Sequence, residues 1–459
     1  MPTKYSTINW HISLQSPKRN GFTMVETLVS LAVLGVFFAA VAYIFQIVLV
    51  QVGQSRVRSV ALALGQSKME IVRNLPFIDV GTAGGIPQGA LLPDETITIN
   101  GLDFRITTSV VFIDDPFDGE APDDLINTDY KRVRVEITWG GAYPSREPIT
   151  LVTNIVPQGV ETIAGGGTLY IRVFNSQGAP VSNASIQIDN TAISPEIHMQ
   201  TLTNSNGLVV LPGAPECITC YKITVTKQTH SSDRTYGVEE VVNPLQPHAT
   251  VIEGQITQLS FAIDLLSSVI IRSVGSKESG YPSVAFVQFT LRGAKVIGYD
   301  AFDDPVYKYS FSTNTGGGTV TIPALEWDTY TLDFTNSAHN LAGSNPVSPF
   351  ALTPNTNNVA VTMVTVPKTN TNLLVVVKDN TGQLQSSASA RLTNTSLSYD
   401  STKVTAATGA ADFGQVFFNT LTPATYDLLV TLNGYQDATA SLNLSGINQQ
   451  SIFMNLLSP

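Results

Sequence analysis

Few residues in this 459-residue chain could do chemistry, and the first is Glu26. It stands in GFTMVETLVSL, residues 21–31, and is the only formal charge between Arg19 and Arg56. A carboxylate at the edge of hydrocarbon is costly unless it is paired or has a task. Local physics leaves two readings open: a first-turn acid favoured by the helix dipole, or one half of an ion pair. The next candidates are the two cysteines, Cys217 and Cys220, in a CxxC spacing. Such a spacing suits a redox pair, half a zinc site or a local disulfide. With no second CxxC and no histidine pair nearby, the favoured reading outside the cell is a disulfide. It would clip the turn just before a strand starting at Tyr221. A third cluster is DDPFDGEAPDDLINTD, which supplies Asp114, Asp115, Asp118, Glu120, Asp123, Asp124 and Asp129. Calcium takes about six to eight oxygens from acidic loops of this kind, and Gly119 lets the loop curl. The stretch lacks the EF-hand spacing, so a solvated acidic turn competes with a calcium site. The histidines at 11, 198, 230, 248 and 339 are scattered. With no clustered nucleophile, base or metal set, the chain reads as a non-enzyme.

These residues need elements to hold them, and composition constrains the choice. Charged residues make up 13% of the chain, about half the ~25% of an ordinary soluble protein. The formal charge is −11, which argues against a nucleic-acid partner, because phosphate binding needs clustered Lys and Arg. Residues 1–21 carry Lys4, Lys18 and Arg19 and no acid, so this end is expected on the cytoplasmic side of a membrane. The apolar run 22–52 exceeds the ~20 residues that span a bilayer. Beyond it, Val57, Ala61, Leu64, Ile71 and Leu75 recur near helical spacing, and Pro76 is a stop signal. The expectation is one helix from 22 to about 74, apolar all round over 22–52 and amphipathic over 53–75. Next, TITINGLDFRIT reads as a hairpin turning at Asn100-Gly101. YKRVRVEITW alternates Val133, Val135, Ile137 and Trp139 against charged residues, and PITLVTNIV supplies one more strand.

The stretch KRNG-FTMVETLVSLAVLG resembles the class III leader of type IV pilins and type II secretion pseudopilins. It has the basic residues, the glycine before the cut, the aromatic Phe22 after it and the glutamate at the fifth mature position. The resemblance implies cleavage between Gly21 and Phe22 by a prepilin peptidase that also methylates the new amino group. It implies that Glu26 pairs with the terminal ammonium of a neighbouring subunit, that the chain sits in the inner (cytoplasmic) membrane as a single pass, and that it then enters an extracellular filament. Thr27 and Tyr43 depart from the common shaft pattern and point to a minor pilin or pseudopilin. ALALGQSKMEIVRNLPF and GGIPQGAL resemble the helix end and loop of minor prepilins, and related pseudopilins bind calcium near the acidic loop. The leader is thus 1–21 and the pilin unit 22–157, with its antiparallel sheet at 96–157.

After a linker at 158–167 the chain repeats itself. LYIRVFNSQGAPVSNASIQIDNT (169–191) aligns without gaps on LLVVVKDNTGQLQSSASARLTNT (373–395), sharing 8 of 23 residues. Gly318, Val320, Leu325, Tyr330 and Leu332 likewise match Gly414, Val416, Leu421, Tyr426 and Leu428. Gly207 and Tyr221 hold the equivalent ends of the first copy, two residues further apart. Three β-sandwich modules follow, at 168–266, 267–367 and 368–459. They resemble carboxypeptidase regulatory-like and collagen-adhesin B-type modules of surface proteins, which extend such proteins and in some cases bind ligands. Tyr307, Tyr309 and Phe311 fall on one face of a strand in the middle copy, which is either core or a surface that stacks on a carbohydrate. The fold class expected is therefore an α+β pilin unit followed by three all-β sandwiches. The expected function is a minor pilin or pseudopilin displaying modules for adhesion or structural extension. A secretion pseudopilin contacting its substrate is the alternative, and a DNA-uptake pilin is the weaker one.

Overall fold

The computed structural model describes residues 23–114, 129–157 and 166–457. A single α-helix, α1 (Met24–Asn74), opens it and runs about 75 Å at 1.5 Å per residue. Every residue from Met24 to Val52 is exposed, as expected of a segment made for a medium other than water. The helix then acquires an inner face at Ala61, Gly65, Met69 and Val72, at spacings of three and four. It ends two residues before Pro76, whose ring disfavours the helical conformation just upstream.

Four strands follow: β1 (Asp94–Ile99), β2 (Leu102–Ile113), β3 (Tyr130–Trp139) and β4 (Ile149–Ile155). They form one sheet in the order β1-β2-β3-β4. Asn100 and Gly101 join β1 to β2 with φ of 53° and 76°, the two left-handed residues that a type I′ hairpin demands. The chain forms two compact units. One gathers α1 up to Arg73 with residues 94–107 and 134–152, and the other gathers 74–93, 108–133 and everything from Thr153.

In the first unit, small residues on α1 let neighbours come close. A Cβ on Gly65 would lie 2.3 Å from Leu151 Cδ1, and one on Gly53 would meet the Tyr143 ring. Lys68 pairs with Glu95, both mostly covered. Phe104 and Trp139 rings lie 6.0 Å apart in the core of this unit.

In the second unit, the loop after α1 seats on the first module. Ile86 is buried in that module's core, Gln88 Nε2 donates to Pro195 O at 3.0 Å, and His198 N donates to Gly84 O at 3.1 Å. The loop thus folds with the module, although it follows α1 directly in sequence. Each module consists of two sheets. In the third, Leu373, Val375 and Val377 face Leu392, Tyr426 and Leu428 across one core.

Three devices recur in every copy. Gly207, Gly318 and Gly414 have φ of 70°, 104° and 68°, and each carbonyl accepts from the first strand, at Val173, Ser273 and Val377. A buried threonine (Thr203, Thr315, Thr405) turns its hydroxyl to a neighbouring backbone N–H. A buried tyrosine donates back along its own strand: Tyr330 OH to Glu326 O and Tyr426 OH to Thr422 O, both at 2.9 Å. Tyr221 OH reaches Pro215 O at 2.6 Å, six residues upstream where the other copies have four. This is a tyrosine corner, enlarged by two residues in the first module.

The first and last strands of each module run parallel: Gly167–Phe174 beside Ile256–Ala262, Ser267–Val274 beside Val359–Pro367, and Asn372–Asp379 beside Ile447–Met454. The modules also touch. Strand Asn243–Pro244 of the first pairs with Val296–Tyr299 of the second, and Lys308 lies 2.8 Å from Glu326 and 3.7 Å from Asp233. Between the second and third, Ala342, Val364, Leu374, Val376 and Phe417 form a separate apolar cluster. Gln415 bridges to Ser344 there with two hydrogen bonds of 2.8 and 3.0 Å.

Candidate functional site

The start of α1 is where sequence placed the chemistry. Gly21 and Phe22 lie outside the described residues. Glu26 is described, and its carboxylate is engaged within its own turn. Thr23 N and Thr23 Oγ1 both donate to Glu26 Oε2 at 3.3 Å, while Glu26 N donates to Thr23 Oγ1 at 3.3 Å. This reciprocal pattern is a capping box, T-x-x-E, which satisfies two of the orphan N–H groups at a helix start. Thr23 was missed in the sequence reading although its spacing to Glu26 carries the signature. Ser30 and Thr27 add hydroxyl donation to backbone carbonyls one turn back, so these hydroxyls are satisfied without water. In a single chain Glu26 is thus a cap, held at the mouth of an exposed apolar helix.

Cys217 and Cys220 are joined as a disulfide. They do not precede the strand as expected: the strand runs Cys217–Thr226 and the CxxC is a bulge inside it. Cys217 lies opposite Val251 and Tyr221 opposite Ala249, with Thr219 at φ 51°. The bulge holds the two residues by which this copy exceeds the others, and the disulfide closes it below the tyrosine corner. In folded, unreduced protein neither thiol should react with an alkylating reagent. Labelling of both would contradict the bridge.

Of the acidic stretch, Asp114 and Asp129 are described, while Asp115, Asp118, Asp123 and Asp124 lie outside the described residues. Among the described residues, no three His, Cys, Asp or Glu side chains converge as a metal site. The aromatic row of the middle module is not one strand face. Tyr307 ends the strand Pro305–Tyr307 under Arg292, whereas Phe311 belongs to Ser310–Asn314. Tyr309, between them, packs edge-on against buried Tyr330 at 5.7 Å. The chain turns at Lys308, so the period-two pattern crosses a strand break.

β3 holds a charge that the alternating pattern hid. Lys131 shares the inward face with Val133 and Val135 and is 2% exposed. Its ammonium donates to Phe77 O at 2.8 Å and lies 4.7 and 5.0 Å from the rings of Phe77 and Phe112. Burial lowers its pKa to about 8, with Asp79 opposing. In the unfolded chain the same lysine keeps its proton to about 10.5. Between the two values the unfolded state binds more protons, so stability should rise with pH from about 8 to 10.5. Lys131→Met should flatten that rise and stabilise the fold at pH 7 by roughly 1–3 kcal/mol, measured by urea unfolding across pH.

Residues 16–42 match the family described as the Prokaryotic N-terminal methylation motif. No curated protein matches the chain. Among solved structures, the TIE protein of Bacillus anthracis is 12% identical, covering 82% of this chain and 73% of its own, with a TM-score of 0.19. The Streptococcal ancillary pilin is 11% identical over 64% of this chain and 100% of its own, with a TM-score of 0.18. GBS52, the minor pilin of Streptococcus agalactiae, is 12% identical over 44% and 97%, with a TM-score of 0.21. Likeness at these scores carries no argument, and what remains is the motif and α1. Together these support a pilin or pseudopilin held in a membrane by its N-terminal helix.

Proposed function

We propose, starting from that methylation motif, that this chain is a minor type IV pilin or pseudopilin which carries three β-sandwich modules on a filament for adhesion or structural extension. One observation carries the reading: the motif opens a 51-residue helix whose first half is apolar and wholly exposed. Such a surface needs hydrocarbon or other copies of the same helix around it. In this reading a prepilin peptidase cuts between Gly21 and Phe22 and methylates the new amino group. Glu26 then leaves its cap to meet the ammonium of a neighbouring subunit. The inward orientation of residues 1–21 follows from their basic charge.

Mass analysis of the N-terminal peptide from membranes of a cell with active prepilin peptidase tests this. The expected species begins at Phe22 and carries one added methyl group. A chain that keeps residues 1–21 under those conditions overturns the proposal.

A further inference from the structure

Where α1 stops being apolar, a loop folds back on it. Tyr143 rests on the helix at Gly53, a position with no room for a Cβ. The loop is pinned in that place, because Trp139 Nε1 donates to Tyr143 O at 2.7 Å and Ser145 N to Trp139 O at 2.9 Å. Between loop and helix lies a cavity of about 440 Å³, lined by Gln54, Arg58, Trp139, Tyr143, Arg146 and Glu147 among others. Among the described residues neither Arg58 nor Arg146 pairs with a carboxylate. The pocket therefore presents two guanidiniums against one acid, with aromatic rings beside them.

Its height on the helix gives the charges meaning. From Met24 to Gln54 the helix rises about 45 Å, which equals the thickness of a bilayer including its headgroups, ~40–45 Å. With the start of α1 at one face, the pocket opens at the headgroup layer of the other. Trp and Tyr are the side chains that settle at this depth, and a guanidinium fork matches phosphate oxygens two at a time. We propose that this pocket binds the phosphate headgroup of an anionic phospholipid in the leaflet facing the modules. It thereby fixes how far the helix sinks and holds the subunit in the bilayer until another copy draws it out. The proposal rests on the membrane-anchor part of the reading above and not on filament assembly.

The test uses the full chain with Trp10→Phe and Trp327→Phe, which leaves Trp139 as the only indole. In neutral-detergent micelles it is titrated with phosphatidylglycerol, phosphatidylcholine or inorganic phosphate. Phosphatidylglycerol should change Trp139 emission saturably, and phosphatidylcholine should need at least about ten times more. The pair Arg58→Ala and Arg146→Ala should weaken the response roughly 10- to 30-fold, given what each basic residue contributes at an anionic surface. Glu147→Gln should strengthen it, a gain that misfolding does not produce. Equal response to the two lipids, or unchanged binding in the double variant, overturns the proposal. Saturation by inorganic phosphate alone would make this an anion pocket with no tie to the membrane, and a lipid-free change that grows with protein concentration would assign it to a second copy. Either result overturns it too. If the chain fails to float with phosphatidylcholine vesicles containing 20% phosphatidylglycerol, the anchor reading falls along with the pocket.

Discussion

Glu26→Ala should be processed and inserted into the membrane like the parent chain and yet be missing from filaments. In the single chain the substitution removes the half of the capping box in which Glu26 Oε2 accepts from Thr23, while the backbone N–H of residue 26 still donates to Thr23 Oγ1, a loss of about 0.5–1 kcal/mol. Insertion should not suffer, because an unpaired carboxylate leaves the edge of the hydrocarbon. Assembly is different. Removing one partner of a buried ion pair costs about 3–5 kcal/mol, which lowers incorporation by more than a hundredfold. Glu26→Gln separates the two roles, since glutamine keeps a capping box but carries no charge. Immunoblots of sheared filaments should lack both variants. Normal incorporation of the glutamine variant would assign Glu26 to capping alone and end the pairing proposal.

The second large effect concerns the modules. Residues 368–459 taken alone should be far less stable than 267–459, although each module has a core of its own. Leu374, Val376 and Phe417 are buried against Ala342 and Val364 of the preceding module. Exposing side chains of this size costs about 1.5–3 kcal/mol each, a large share of the 5–15 kcal/mol typical of a domain. The isolated third module should melt at least about 10 °C lower, whereas the pair should unfold in one transition. Gln415→Ala within the pair should cost roughly 1–3 kcal/mol, since it strands Ser344 N–H and C=O in a buried place. Equal melting temperatures for the single module and the pair would show that the joint is passive.

Features set by local rules were legible in the sequence. Pro76 ended the helix, Asn100-Gly101 made the hairpin turn, and the repeated Gly and Tyr positions marked equivalent points of three sandwiches. The two-residue offset between Gly207 and Tyr221 was visible as a number, but only the pairing with Ala249–Val251 showed it to be a bulge. Other signals in the sequence carry more than one meaning. TMVE at 23–26 is a capping signature, and LLVVV at 373–377 is an unbroken apolar run, which marks a strand covered on both faces. The first copy reads LYIRV instead, with Arg172 exposed on its outer face. Lys131 has the parity of a core residue, whereas its type places it among the charged positions of the strand. The seat of Ile86 and the split of Tyr307 from Phe311 left no trace in periodicity, because both depend on partners far along the chain.

The parallel pairing of first and last strands decides how each module bears tension. A chain pulled between α1 and the far module tugs the two terminal strands of every sandwich in opposite directions along their length. Their ladder bonds then share the load in shear instead of parting one at a time, as they would in a hairpin peeled from its open end. Resistance of this kind is governed by the rate of unfolding and not by equilibrium stability. The ladders hold seven, six and eight residue pairs in chain order. Under a steady drag the middle module is therefore the one expected to give way first, and the third, which then loses the cover of Ala342 and Val364, is expected to follow while the first stays folded.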